Sequence, residues 1–346
     1  MMKYGILIKN LWGLIFCFSI LQIFGNYIFA QSRQDDLWYL DYGFINYEDN
    51  RVLSFQPNAL NHFFTKLQRL ETKKDCQVQV MHLGDSHIQA DMFSGKVREK
   101  IMQDQRFPMS ARGFVFPYSA ARTNNPYNYK TFFSGGWTGK RSVRSKDRSR
   151  WGMSGISIET NAQGASFSLH PNIENFNYAI RKVKIFYPNT DPNSFDIVPK
   201  ISIENSISGY FVGDGYVEFT FRKPLTAVEL VVTKSREGQS KFVLQGVTLE
   251  NTEPGVIYSA SGVNSADVNS YFRCQDFEKN VGALSPDLVI ISLGTNDAYM
   301  YAFNRQQFKT NMRILVSRIK NASPQTSILL TTPADNFRRR RYPNKN

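Results

Sequence analysis

Apolar positions change their spacing three times along the chain, and each change predicts a different kind of element. Residues 11–30, LWGLIFCFSILQIFGNYIFA, carry no charge and follow Lys3 and Lys9. A basic start and an uncharged run predict a secretory signal over 1–30, cut after Ala30, with Ile28 and Ala30 at the positions read by signal peptidase. An uncleaved anchor is the alternative, set lower because polar QSRQDD follows at once with no basic stop-transfer cluster. In NALNHFFTKLQRL (58–70), Leu60, Phe63, Phe64, Leu67 and Leu70 fall at helical spacing. CQVQVMHLGDSH (76–87) then reads as a strand ended by Gly84, and SGKVREKIMQ (94–103) as a helix.

From about residue 115 the period drops to two. GISIET (155–160), ASFSLH (165–170), KVKIFY (182–187), PKISIEN (199–205), GYVEFTF (215–221), TAVELVVT (226–233) and KFVLQGVTLEN (241–251) predict strands, separated by turn signals such as PNTDPN and VGDG. Short strands without helices between them predict an antiparallel sandwich or jelly roll. The first style then returns. GVIYSA (255–260) reads as a strand, SADVNSYFRCQDFEKNV (265–281) as helical, PDLVIISLGTND (286–297) as a buried parallel strand and its turn, 303–322 as an amphipathic helix, and SILLTTPADN (327–336) as a further strand and loop. The predicted organisation is a signal at 1–30, an α/β domain in two pieces (31–114 and 255–346), and a β-sandwich at 115–254 inserted between its first helix and its second strand.

Composition narrows this picture. The 346 residues are 42% hydrophobic and 21% charged, which excludes a disordered chain. A mean hydropathy of −0.37 excludes a polytopic membrane protein. Three cysteines exclude a disulfide-dense scaffold. Cys76 and Cys274 are a possible pair after export, but two unpaired thiols are preferred, because spacing alone does not bring them together. The net charge of +13 becomes +11 once Lys3 and Lys9 are removed, which suits anionic envelope polymers. Arg141, Arg144, Lys146, Arg148 and Arg150 form one basic run and Arg338 to Arg341 another. No nucleic-acid motif accompanies either, so nucleic acid is not an expected partner.

Three short stretches sit at the C-terminal ends of the best predicted strands: Gly84-Asp85-Ser86, Ser261-Gly262-Val263-Asn264 and Gly294-Thr295-Asn296-Asp297. Ligands bind at that edge of an open α/β sheet. A serine opening a helix there is placed to attack, with its own N–H turned to a developing oxyanion. A glycine N–H and an asparagine amide would complete a set of three donors. Taken singly, each has a structural alternative: Ser86 as an N-cap, Gly262 as a turn glycine, Asn296 and Asp297 as caps.

Together, GDS, the downstream Gly-x-Asn and GTND resemble blocks I, II and III of the SGNH (GDSL-type) hydrolases, over about residues 76–105 and 255–336. HLGDSHIQAD, SGVNSAD and TTPADNFRRR resemble exported members with an inserted β-sandwich that act as peptidoglycan or polysaccharide O-acetylesterases. The resemblance implies a three-layer α/β fold with a five-stranded parallel sheet, Ser86 as nucleophile, and Ser86 N–H, Gly262 N–H and the Asn296 side chain as oxyanion donors. It implies ester hydrolysis through an acyl-enzyme with no metal or cofactor. Cleavage of the signal, read separately from the N-terminal pattern, predicts no stable membrane insertion of the mature chain.

The same family draws its base from a late Asp-x-x-His block. This sequence has His62, His82, His87 and His170, and none after residue 170. His82 is expected to pack between sheet and helix, and His87 to support the turn. His170 is expected on a strand of the insertion, with surface or carbohydrate contact open to it. The missing block is expected to reflect truncation, with a sheet lacking its fifth strand and an inactive chain. A glycan-binding pseudoenzyme and a lipase are the other readings. In the insertion, Tyr127, Tyr129, Trp137 and Trp151 are either a sugar-stacking platform or core.

Overall fold

The computed structural model describes residues 48, 51–54, 56–171, 177–299 and 303–333. The signal segment and Arg338 to Arg341 lie outside these. The chain divides into two units, Met1–Pro57 and Asn58–Asn346, and the second holds every sheet and the three polar blocks. No helix among the described residues is long and apolar enough to cross a membrane.

The second unit opens with α1 (Asn61–Lys73), β1 (Gln77–Gly84), the one-turn α2 (Ser86–Gln89), α3 (Met92–Gln103) and β2 (Met109–Ala111). The insertion follows as β3 (Gly113–Val115), β4 (Lys130–Ser134), β5 (Thr138–Arg141), β6 (Ile156–Thr160), β7 (Ser166–His170), β8 (Ile180–Phe186), β9 (Asp196–Pro199), β10 (Ile207–Gly213), β11 (Tyr216–Leu225), β12 (Val228–Thr233), β13 (Phe242–Leu244) and β14 (Gly246–Glu250). The chain returns through β15 (Gly255–Gly262), α4 (Val268–Phe272), α5 (Phe277–Leu284), β16 (Leu288–Ser292), the one-turn α6 (Thr295–Ala298), α7 (Arg305–Ala322) and β17 (Ser327–Leu330).

Five parallel strands form the central sheet, in the order β17-β16-β1-β15-β2. A fifth member of the sheet that the sequence reading missed is Met109–Ala111, at the edge away from β17, a segment too short to show a period in the sequence. Its position means the β insertion leaves the α/β sheet after this second strand, not before it. The insertion itself distributes its strands over three antiparallel sheets, β10-β11-β8-β14-β3, β4-β7-β12-β9 and β13-β6-β5.

Alternation along β1 makes the layers. Val78 and Val80 pack with Leu70 of α1 and against Val97 and Ile101 of α3, while Met81 and Leu83 face the opposite side. On that side the core continues through Val268, Val281, Leu315 and Ile319 of α4, α5 and α7 and on into Phe114, Trp151 and Phe186 of the insertion. The α/β layers and the insertion thus share one apolar core.

Two expectations for the insertion change. The run 241–251 is two strands, because Gly246, at φ 152°, lets the chain pass from one sheet to another. PKISIEN is not a strand: β9 ends at Pro199, and Ile203 stands in a short 3₁₀ turn, 95% exposed. Tyr129, Trp137 and Trp151 are buried, so they are core and not a sugar platform; only Tyr127 is exposed. Arg273 stacks over Trp151, 4.9 Å from its ring, and Arg150 pairs with Asp276 at 2.7 Å, which pins the basic run to the α4–α5 corner. Cys76 and Cys274 are unpaired, as preferred, and burial pushes the Cys274 thiol up to about 12.

Candidate active site

Strand register brings the three sequence blocks to one edge. Gly84 at the end of β1 pairs with Gly262 at the end of β15 and with Ser292 at the end of β16. Asp85 follows β1 and its carboxylate accepts from the backbone N–H of His87, capping the turn that Ser86 opens. That turn lies against β15: a Cβ on Gly262 would come within 2.5 Å of both the Asp85 carbonyl oxygen and the Gln89 nitrogen. Gly262 is therefore glycine for close approach. The turn-glycine alternative does not hold, since its φ is not positive. After β16 the chain turns at Gly294, φ 131°, a conformation that L side chains rarely adopt, and enters α6 with Asn296.

Hydrogen bonds then tie the blocks together. Asn296 Nδ2 donates to Ala266 O at 2.9 Å and lies 3.4 Å from Asp85 Oδ2, so one amide touches both the loop after β15 and the residue before Ser86. Tyr271 OH donates to Gly84 O and Tyr118 OH to Gly262 O, each at 2.8 Å, fixing both strand ends from within the core. Gln89 accepts from Asn264 N at 2.8 Å and donates to Asn124 Oδ1 at 3.0 Å, while Asn264 Nδ2 donates to Asn124 Oδ1 at 2.7 Å. The first loop of the insertion is in this way part of the site wall. Gln89, Tyr118, Asn124 and Tyr271 carry no sequence signal of this role, because their partners lie far away along the chain.

Ser86 is partly exposed, and its hydroxyl makes no hydrogen bond among the described residues. Asp297 accepts from Val268 N at 3.2 Å through one oxygen, and its other oxygen has no partner. Burial, with Asp267 and Asp85 nearby, pushes its carboxyl up to about 6.

No histidine is hydrogen-bonded to Ser86. His82 is buried, with Nδ1 2.8 Å from Tyr258 OH and Nε2 2.7 Å from Ser292 Oγ, and its ring meets Phe93 of α3 edge-on. It packs between sheet and helix as expected, and burial pulls its pKa down to about 3. His87 Nδ1 lies 3.2 Å from Asp85 Oδ1, so the residue supports the turn. His62 bonds Asp287, which precedes β16 at the opposite edge of the sheet, and His170 sits on β7 beside Ser168 and Phe132. A cavity of about 430 Å³, lined by Phe63, Leu67, Phe93, Val97 and Phe107, lies between α1 and α3, and none of Ser86, Gly262 and Asn296 lines it.

The parallel sheet, the three aligned loop ends and the β insertion are the arrangement that the SGNH resemblance implied. Residues 235–346 match the GDSL-like Lipase/Acylhydrolase family, a stretch that holds Gly262 and Asn296 but not Ser86. Among solved structures, a peptidoglycan O-acetylesterase matches at 20% identity and a TM-score of 0.61, over 78% of this chain and 71% of that one, and so shares the fold. A family two carbohydrate esterase from Cellvibrio japonicus matches at 14% identity over 60% of this chain and 79% of that one, but at a TM-score of 0.22, which carries no argument. No curated protein matches the chain in sequence.

Proposed function

We propose that this chain is an exported SGNH-type serine esterase scaffold whose Ser86 removes acetyl or another small acyl group from an envelope polysaccharide such as peptidoglycan. One observation carries the reading: the register of β1, β15 and β16, which aligns the blocks bearing Ser86, Gly262 and Asn296 at a single sheet edge. The shared fold of the peptidoglycan O-acetylesterase supports the substrate class.

In this mechanism the Ser86 hydroxyl attacks the ester carbonyl as a base takes its proton. The Ser86 and Gly262 N–H groups and Asn296 Nδ2 donate to the oxyanion, the alcohol leaves, and water releases the acyl group from Ser86. The long 3.4 Å contact from Asn296 to Asp85 is the weaker of its two and is the one to be exchanged for the oxyanion. Loss of one such donor costs ~10²–10³ in rate.

The base is the open position, since none of the four histidines bonds Ser86. That observation also favours a second reading, a glycan-binding protein without turnover. Both are tested by p-nitrophenyl acetate hydrolysis with imidazole added as an external base. Imidazole should accelerate the native chain beyond the reaction of imidazole alone, and Ser86→Ala should remove the excess. Equal rates for native and Ser86→Ala protein would reject Ser86 and leave the binding reading, which pull-down on insoluble peptidoglycan then examines.

A further inference from the structure

Behind the candidate site, two arginines share one carboxylate in the interior. Asp91, at φ 56°, opens α3. It accepts from Arg98 Nη1 at 2.7 Å, Arg112 Nη2 at 2.9 Å, Asn128 Nδ2 at 2.5 Å and the Ser94 hydroxyl. The side chains of Arg98, Arg112 and Asp91 are 0%, 3% and 1% exposed. Two guanidinium groups against one carboxylate leave a unit positive charge out of contact with water. Among the described residues, their further hydrogen-bond and ring contacts are to neutral groups: the Tyr258 carbonyl and the Asn128 side-chain oxygen at 3.4 and 3.5 Å, and the rings of Tyr258 and Tyr129 beneath the two guanidinium groups.

Three donors remain unused. Arg98 Nε, Arg112 Nε and Arg112 Nη1 are buried without a hydrogen-bond partner. An unmet N–H on a buried cation is among the costliest defects an interior can hold. Arg112 also lines a small cavity with Ile88, Gln89, Asp91, Tyr118 and Tyr129. About 10 Å³ there is open to the centre of a water-sized particle, the lower bound for a single small occupant.

We propose that this cavity is a binding site for one small monovalent anion, of which chloride is the type, held by the unpaired N–H groups of Arg112. A water would meet one or two donors but leave the charge; a halide answers both, at the cost of the cavity walls giving by a few tenths of an ångström. The occupant would lie beside Gln89, which ties the Ser86 turn to Asn264, and Tyr118, which ties the end of β15 at Gly262 to the insertion. It would thus brace the site from behind, whether or not Ser86 is a nucleophile.

The test is crystallisation of the whole chain purified throughout in sodium bromide, with data collected at the bromine edge. An anomalous peak within hydrogen-bond distance of Arg112 Nε or Nη1 is the expected result. Bromide found only at the surface, or a water in the cavity, overturns the proposal. In solution, replacing chloride by gluconate at equal ionic strength should lower Tm by a few degrees, and Arg112→Met should abolish the difference. A chloride effect of the same size in Arg112→Met would overturn the assignment to this site. If Arg112→Met does not fold, the crystal of the native chain decides.

Discussion

At the scale of single residues, His82 and Asp297 act on stability in opposite directions as pH changes. His82 titrates near 3 when folded and at 6.5 when free, so its contribution is complete above about pH 6.5 and is lost as pH falls. Between pH 6.5 and 5 the loss should be about 2 kcal/mol. Asp297, raised to about 6, contributes most below about pH 4, and that share is lost as pH rises through 6. Its partial exposure limits the effect to about 1 kcal/mol. Urea unfolding across pH 4–7 should therefore show a net fall in stability toward acid. His82→Gln should flatten that fall, and Asp297→Asn should steepen it. Gly262→Ala should destabilise by about 1–3 kcal/mol, since the added Cβ meets main-chain atoms that cannot swing away. Chemical denaturation of the purified variant measures this, and an unchanged midpoint would contradict the close approach of α2 to β15.

Among elements, the sequence showed most where apolar spacing was long and regular. The helix at 303–322 and the strands at 155–160, 165–170 and 226–233 are observed within a residue or two, because each buries one face against a broad surface. The misses have local causes. Met109–Ala111 is three residues long and becomes a strand only because β15 offers it an edge. The expected helix at 265–281 is two helices, α4 and α5, with Arg318 of α7 donating to the carbonyls of Tyr271 and Cys274 at the break. Ser86, Gly262 and Asn296 were legible because each follows a strong strand within a few residues. Their supports, Tyr118 and Gln89 among them, were not, because sequence does not show contacts made across 140 to 175 positions.

Across the second unit as a whole, the sequence divides α/β from β-rich stretches, yet the packing joins them. One apolar core runs from Leu315 and Ile319 through Met81 and Leu83 to Phe114, Trp151 and Phe186. Shared burial of this kind couples unfolding. Hydrogen exchange should give the slowest amides of β8 (180–186) and β16 (288–292) the same opening free energy, within error. A markedly lower value for β8 would mean that the insertion opens by itself.

Local pattern alone settled the alternation of α/β and β-rich segments and the three polar blocks at strand ends, since hydrophobic period and turn chemistry act over a few neighbouring residues. Folding decided which strand ends stand side by side, which tryptophans are interior, and that two arginines meet over one aspartate. Those outcomes depend on surfaces brought together from distant parts of the chain, and their energies exist only once water has been expelled from between them.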